Sequence, residues 1–187
     1  LPFETDAESE PIRLRTLVNL RWIAIAGQIA ALIVAKERFD VVIYSGPCLM
    51  VIGASVIANL ISGLVYPPNT RLSGDGATLA LLFDIAQLGV LLYLTGGLTN
   101  PFAFLVLAPV TISASVLPLQ RTMLLGGCAI AIITALVFFF RPLITETGQI
   151  LQLPTLFAFG FWLAIVIGIV FLGVYAHRVA RETRAMR

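Results

Sequence analysis

Six stretches of about 20 residues run nearly without charge: Leu17–Ala35, Val41–Gly63, Ala77–Thr95, Pro101–Leu117, Thr122–Phe140 and Thr155–Ala176. The hydrocarbon core of a bilayer is about 30 Å thick and is crossed by about 20 residues of helix. A chain that repeats this pattern six times reads as an all-α integral membrane protein, a bundle of six transmembrane helices. Composition agrees: 59% of the 187 residues are hydrophobic and 12% charged, against roughly 25% charged in soluble domains. That excludes a water-soluble globule. Twelve Lys and Arg are offset by ten Asp and Glu, and only two cysteines occur, which excludes a nucleic-acid-binding domain and a disulfide scaffold.

The first stretch carries Asn19 and Arg21 in its opening turns and is free of charge only over Trp22–Ala35, a length that a signal-peptide apolar region also has. No small-residue cleavage site closes it and five more apolar segments follow, so it is read as a span, with Arg21 snorkelling to the head groups. Basic residues set the orientation. Arg13, Arg15, Arg21, Arg71, Arg121, Arg178, Arg181, Arg184 and Arg187 fall on one side of the spans, and Lys36, Arg38 and Arg141 on the other. By the positive-inside rule both termini are expected in the cytoplasm. The connections Lys36–Asp40, Gly96–Asn100 and Arg141–Pro154 are then expected outside. Pro67-Pro68-Asn69, Gly74-Asp75-Gly76 and Arg141-Pro142 read as turns, and the short connections leave no room for a folded extramembrane domain.

Residues 1–12, with Glu4, Asp6, Glu8 and Glu10, read as a solvated acidic tail. The chain opens on Leu1 rather than Met, which reads as a trimmed piece of something longer. Residues 177–187 contain neither Pro nor Gly, so the last span is expected to continue as a helical linker into whatever follows.

No catalytic motif of the soluble kind is present: no Gly-rich phosphate loop, His-Glu-x-x-His, Cys-x-x-Cys or nucleophile elbow. Cys48 and Cys128 sit singly in different spans and read as packing residues. The single histidine, His177, reads as an interfacial residue, and no metal or haem ligand set is evident. The most informative stretch is Thr95-Gly96-Gly97-Leu98-Thr99-Asn100-Pro101-Phe102. Two glycines can end a helix with positive φ and admit a close approach of the backbone. Asn100 is placed as an N-cap and Pro101 as the first helical residue, leaving backbone N–H groups unpaired just after Pro101, beside the Phe102 ring. From the residues alone this reads either as a tight interfacial turn or as a site for a flat ring bearing carbonyl oxygens.

Asp84, with Gln87 one turn on, is the one acid inside the apolar stretches. Its insertion costs about 2.5–3.5 kcal/mol, so it is expected to face protein and find a partner, with Arg21, Gln28 and Asn59 available. A structural pair and a proton-coupled or ligand role both remain open. About 18 Å of helix separates Asp84 from Gly96, too far for it to touch a head group at the glycine turn. Small residues recur every four positions as Gly160, Ala164 and Gly168 in the last span and as Gly27, Ala31 and Ala35 in the first. Such ridges allow close helix approach. For the last span, packing in the bundle and a dimer face are both open.

The heptapeptide Gly96–Phe102, Leu14-Arg15-Thr16-Leu17 with Leu20-Arg21-Trp22, and Phe159–Gly168 strongly resemble the membrane domain of the RegB/PrrB (ActS-like) redox-responding sensor histidine kinases of proteobacteria. The resemblance runs from about Ile12 to the end of the chain. It implies six spans in the bacterial inner membrane and a ubiquinone site at Gly96, Gly97, Asn100, Pro101 and Phe102, which match the family's Gly-Gly-x-x-Asn-Pro-Phe at every fixed position. It further implies that quinone redox state sets the activity of a cytoplasmic autokinase, which uses ATP and passes a phosphoryl group to a response regulator. A homodimer, and a terminal oxidase or accessory protein as relay, are further implied partners. The phosphate-accepting His box, the ATP boxes and the family's redox-active cysteine lie outside these residues, and no such role passes to His177, Cys48 or Cys128. One expected route for the signal is movement of the third and fourth spans against the last. The rival classes are a quinone-interacting membrane subunit of an electron-transfer complex and a small transporter with Asp84 and Gln87 on its pathway.

Overall fold

A computed structural model describes residues 14–67 and 70–185. The acidic tail, Arg13, the Pro68-Asn69 part of the expected turn, and Arg187 lie outside the described residues. Six helical segments follow one another: α1 (Leu14–Phe39), α2 (Ser45–Val65), α3 (Gly74–Leu94), a helical segment Pro101–Val116 that becomes α-helical as α4 (Leu107–Val116), α5 (Leu119–Phe138) and α6 (Thr155–Ala185). Five are long and apolar enough to cross a membrane; the segment Pro101–Val116 is shorter.

That shorter segment has a physical reason. Residues Pro101–Val106 are a 3₁₀-helix, and near its end Pro109 has no N–H to offer the Leu105 carbonyl and a ring that crowds it. A 3₁₀-helix rises about 2.0 Å per residue against 1.5 Å in an α-helix. Six residues of one and ten of the other therefore reach about 27 Å, close to the thickness of a hydrocarbon core. The fourth crossing is thin in residues, not in length.

Two expected boundaries are corrected. The second span begins at Ser45, not Val41: Val41 and Val42 form a strand, β1, since β-branched residues favour extended backbone and Pro47 belongs in a first helical turn. Gly74-Asp75-Gly76 is not a turn but the first turn of α3. The Ser73 Oγ accepts from the Gly76 N–H at 3.1 Å, Asp75 complements the helix dipole, and the Arg121 guanidinium lies against Gly74, leaving no room for a Cβ there.

Strand β1 pairs antiparallel with β2 (Leu143–Thr145), which pairs with β3 (Ile150–Leu151). This small sheet is an addition to the helical bundle, built from the α1–α2 and α5–α6 connections at the end of the molecule that also holds the 95–101 turn. The opposite end carries Leu14, whose N–H donates to the Thr70 carbonyl at 3.0 Å, the Arg121–Asp75 ion pair at 2.9 Å, and Leu119 facing His177 across a cleft.

The interior divides in two. The larger core joins α3, α4, α5 and α6 around Leu81, Ile85, Leu125, Ile133 and Ile165. A smaller one, Ile25, Cys48, Ile52 and Leu91, fixes the α1–α2 hairpin to the flank of α3. Outside these cores apolar side chains stand in the open: Leu64 is 84% exposed, Met50 and Leu156 77%, Phe138 73% and Ile23 70%. In water such a surface would aggregate; around a membrane bundle it is the surface that lipid covers.

Candidate functional site

Helix α3 ends at the turn that the sequence singles out. The Thr95 hydroxyl donates back to the Leu91 carbonyl at 2.7 Å. Gly96 (φ 97°) and Gly97 (φ 58°) are both left-handed, the conformation for which glycine is suited. A Cβ on Gly96 would lie 2.8 Å from the Leu143 side chain, and one on Gly97 2.8 Å from Phe140 and 3.0 Å from the Leu136 carbonyl. The close approach that these glycines permit is therefore to protein.

Asn100 is the staple of the turn. Its Oδ1 accepts from the Phe102 N–H and its Nδ2 donates to the Thr95 hydroxyl, both at 2.9 Å. One expectation is overturned here: the N–H groups after Pro101 are not unpaired. Phe102 N–H is taken by the Asn100 side chain, and Ala103 N–H donates to the Asn100 carbonyl at 3.0 Å. The 3₁₀ start, with its i to i+3 bonds, uses donors that an α-helix would leave open.

Beside this turn lies a cleft of about 460 Å³, within the range of about 300–1,000 Å³ usual for small-molecule sites. One wall is the small-residue face of α1, formed by Gly27, Ala30, Ala31 and Ala35. The other is Thr95, Thr99, Asn100, Pro101 and Phe102, and Val41, Leu143 and Leu151 of the sheet close one end. Of the five matched residues, Asn100, Pro101 and Phe102 line the cleft, while Gly96 and Gly97 shape the turn behind it. The α1 wall was missed by sequence reasoning. Its signal was present as the Gly27, Ala31, Ala35 ridge, all three lining the cleft; a Cβ on Gly27 would meet nothing within 4 Å.

The intramembrane polar residues form a ladder between helices. Arg21 Nε donates to Asp84 Oδ1 at 2.7 Å, with the two side chains 10% and 27% exposed, and the Arg21 guanidinium lies 5.5 Å from the centre of the Phe83 ring. One to two turns on, Gln28 and Gln87 exchange hydrogen bonds of 3.2 and 3.0 Å. Asn59 Nδ2 donates to the Val18 carbonyl at 2.9 Å. Asp84 and Gln87 thus pair with α1, and neither lines the cleft.

At the sheet end Arg141 stacks 4.8 Å over Tyr44 and donates its N–H to the Tyr93 carbonyl at 2.8 Å. Side-chain hydrogen bonding to Tyr93 and then Tyr44 raises the guanidinium pKa above its ordinary value, so it is a fixed cation at any working pH. In α6 the small-residue stripe is divided. Gly168 faces Leu107, 3.2 Å from a built Cβ, whereas Gly160 and Ala164 lie on the exposed face. Among the described residues no group of three or more His, Cys, Asp or Glu is placed to hold a metal, and Cys48 and Cys128 are free thiols.

A bundle of apolar helices with a ligand-sized cleft at one end and a long helix leaving the other defines a multi-pass transmembrane domain. The chain belongs to the family of PilS-like transmembrane domains, whose sequence profile matches residues 4–148. It is similar to two sensor histidine kinases RegB of Cereibacter sphaeroides, one of them from strain ATCC 17023, being 53% and 54% identical over 181 residues and 97% of its length. It spans 39% of the length of these relatives. No solved structure matches the chain.

Proposed function

We propose that the chain binds ubiquinone in the cleft between α1 and the 95–102 turn, and that the bound ring reports quinone-pool redox state to a cytoplasmic autokinase and its response regulator. The observation that carries this is the cleft itself: an apolar slot whose polar groups are confined to one wall, at Thr95, Thr99 and Asn100. Phe102, 40% exposed, offers a ring face for stacking. Thr99 contributes a hydroxyl to the wall, and Asn100 retains a second Nδ2 hydrogen beyond the one given to Thr95. An oxidised ring presents carbonyl acceptors and a reduced ring hydroxyls, so the donor-only Asn100 amide hydrogen favours the oxidised form, while the Thr99 hydroxyl can donate to one form and accept from the other. Occupancy signals only through such a difference between states.

The membrane is the bacterial inner membrane in this reading. Arg15, Arg71, Arg121, Arg178 and Arg181 lie at the end remote from the cleft, which the positive-inside rule assigns to the cytoplasm. ATP belongs to the kinase part of the whole protein, and the exposed Gly160 and Ala164 offer the face on which a second copy would pack. The test is equilibrium binding of oxidised and reduced short-chain ubiquinone to the chain in lipid nanodiscs, with Phe102→Ala and the cleft-filling Ala31→Phe. Loss of the ring is expected to weaken binding about 2- to 10-fold, the worth of an aromatic contact, and Ala31→Phe to abolish it. Binding indifferent to both variants overturns the siting.

A further inference from the structure

The cleft and α6 are joined by the outer sheet. Leu143 of β2 and Leu151 of β3 close the end of the cleft, and these two residues are register partners. Strand β1 leaves α1 after Asp40 and pairs with β2 through Val41–Thr145 and Val42–Ile144. The pairing is extended by the Glu146 N–H donating to the Asp40 carbonyl at 2.9 Å. Both walls that meet at this end of the cleft, the end of α1 and the sheet, are thus one hydrogen-bonded unit. Only residues 152–154 separate β3 from α6. Pro154 already takes part in the first turn, its carbonyl accepting from Phe157 and Ala158 at 2.9 and 3.1 Å.

Toward that end α6 is held by the Trp162 indole, whose N–H donates to the Thr134 hydroxyl at 3.0 Å, and by few buried apolar side chains. Ile165 and Ile169 are its fully buried apolar residues among those described, and both lie well beyond its first turns. Leu156, Phe157 and Phe159 stand exposed. A backbone ladder passes on displacement stiffly, because slipping it breaks hydrogen bonds. The other path runs from the turn itself through side chains: the Gly97–Thr99 segment packs directly against α6, with Leu98 and Thr99 lining one cavity with Ala158, Phe159 and Trp162, and it continues through the edge-on Phe104–Phe161 pair at 5.7 Å and Leu107 against Gly168.

We propose that the three-stranded sheet is the element that carries cleft occupancy to α6: a ring entering between α1 and the turn displaces Leu143 and Leu151, and the sheet moves the start of α6. This rests on the reading of the cleft as a ubiquinone site.

The test uses the full chain in nanodiscs with short-chain ubiquinone, measuring binding and, in parallel, amide hydrogen exchange over residues 152–162. Ligand is expected to change exchange in that segment by about threefold or more, the scale at which local opening is read. Val42→Pro takes a donor out of β1, and the Val42→Gly, Ile144→Gly double variant is the gentler alternative if the proline impairs folding. Both are expected to bind ubiquinone within about threefold of the parent while losing the response of α6, and Phe104→Ala is expected to keep it. A response that survives the strand variants overturns the proposal; its loss in Phe104→Ala then assigns the route to α4, and its persistence there assigns it to the direct packing of the turn on α6. Binding with no response at α6 in the parent overturns the proposal and leaves the cleft reading intact. No binding in the parent overturns both.

Discussion

Gly97 and Gly27 both border the region of the cleft, yet they answer to different physics. Gly97 has φ 58° and lies against Phe140 and a backbone carbonyl. Gly97→Ala therefore adds left-handed strain of about 1–2 kcal/mol to a clash that backbone cannot relieve, and the apparent Tm in detergent is expected to fall by several degrees. Gly27 is helical with open space at its Cβ, and Gly27→Ala is expected to leave Tm unchanged or raise it slightly, since alanine is the better helix former by about 1 kcal/mol. Equal losses at the two positions would refute this division. Asp84 gives a second residue-scale prediction. Asp84→Asn leaves the largely buried Arg21 without its counter-ion, which for a fully buried pair costs about 3–5 kcal/mol and here less, because Asp84 is 27% exposed. The Arg21→Met, Asp84→Leu double variant is expected to recover most of the lost thermal stability. A double variant no better than Asp84→Asn would show that the pair does more than hold α1 to α3.

At the scale of elements, α6 is tied to α5 by a polar contact, Trp162 Nε1–H to the Thr134 hydroxyl at 3.0 Å. Hydrogen bonds between membrane helices average about 0.6 kcal/mol and reach about 1.7. Thr134→Val is accordingly expected to lower stability by that amount and to shift the emission of Trp162 in a Trp22→Phe background; an unchanged spectrum would mean that the indole is not held there. How far such elements can be read from sequence depends on the range of the forces that fix them. Five spans, the Asn100 cap and the long last helix follow from hydropathy, side-chain capping and the absence of breakers, all local. The sheet pairs Val41–Val42 with Leu143–Thr145, about 100 residues away, and no local pattern announces a partner at that distance. The same holds for the cleft. Asn100, Pro101 and Phe102 were visible as a motif, while Leu143 and Leu151 become wall residues only through that pairing.

On the scale of the whole molecule, charge and geometry bear on one another. Six crossings return the chain to the end from which it starts, where Leu14 meets Thr70 and Leu119 lines a cleft with His177, Arg178 and Arg181. The α1–α2 connection, the cleft and the sheet share the opposite end, with Lys36, Arg38 and Arg141 as their cations. Each Lys or Arg near an anionic leaflet contributes about 1 kcal/mol, so in the proposed reading the arginine-rich end is the one expected at the cytoplasmic face. In that reading, ubiquinone would then enter from the outer leaflet, through the side between α1 and Pro101. Thr147→Cys, in the exposed β2–β3 turn, is expected to react with a membrane-impermeant maleimide added outside spheroplasts, and Gln120→Cys, at the start of α5, only after the membrane is opened. The reverse pattern would place the cleft on the cytoplasmic side, and α6 would then have to carry its signal in the opposite direction.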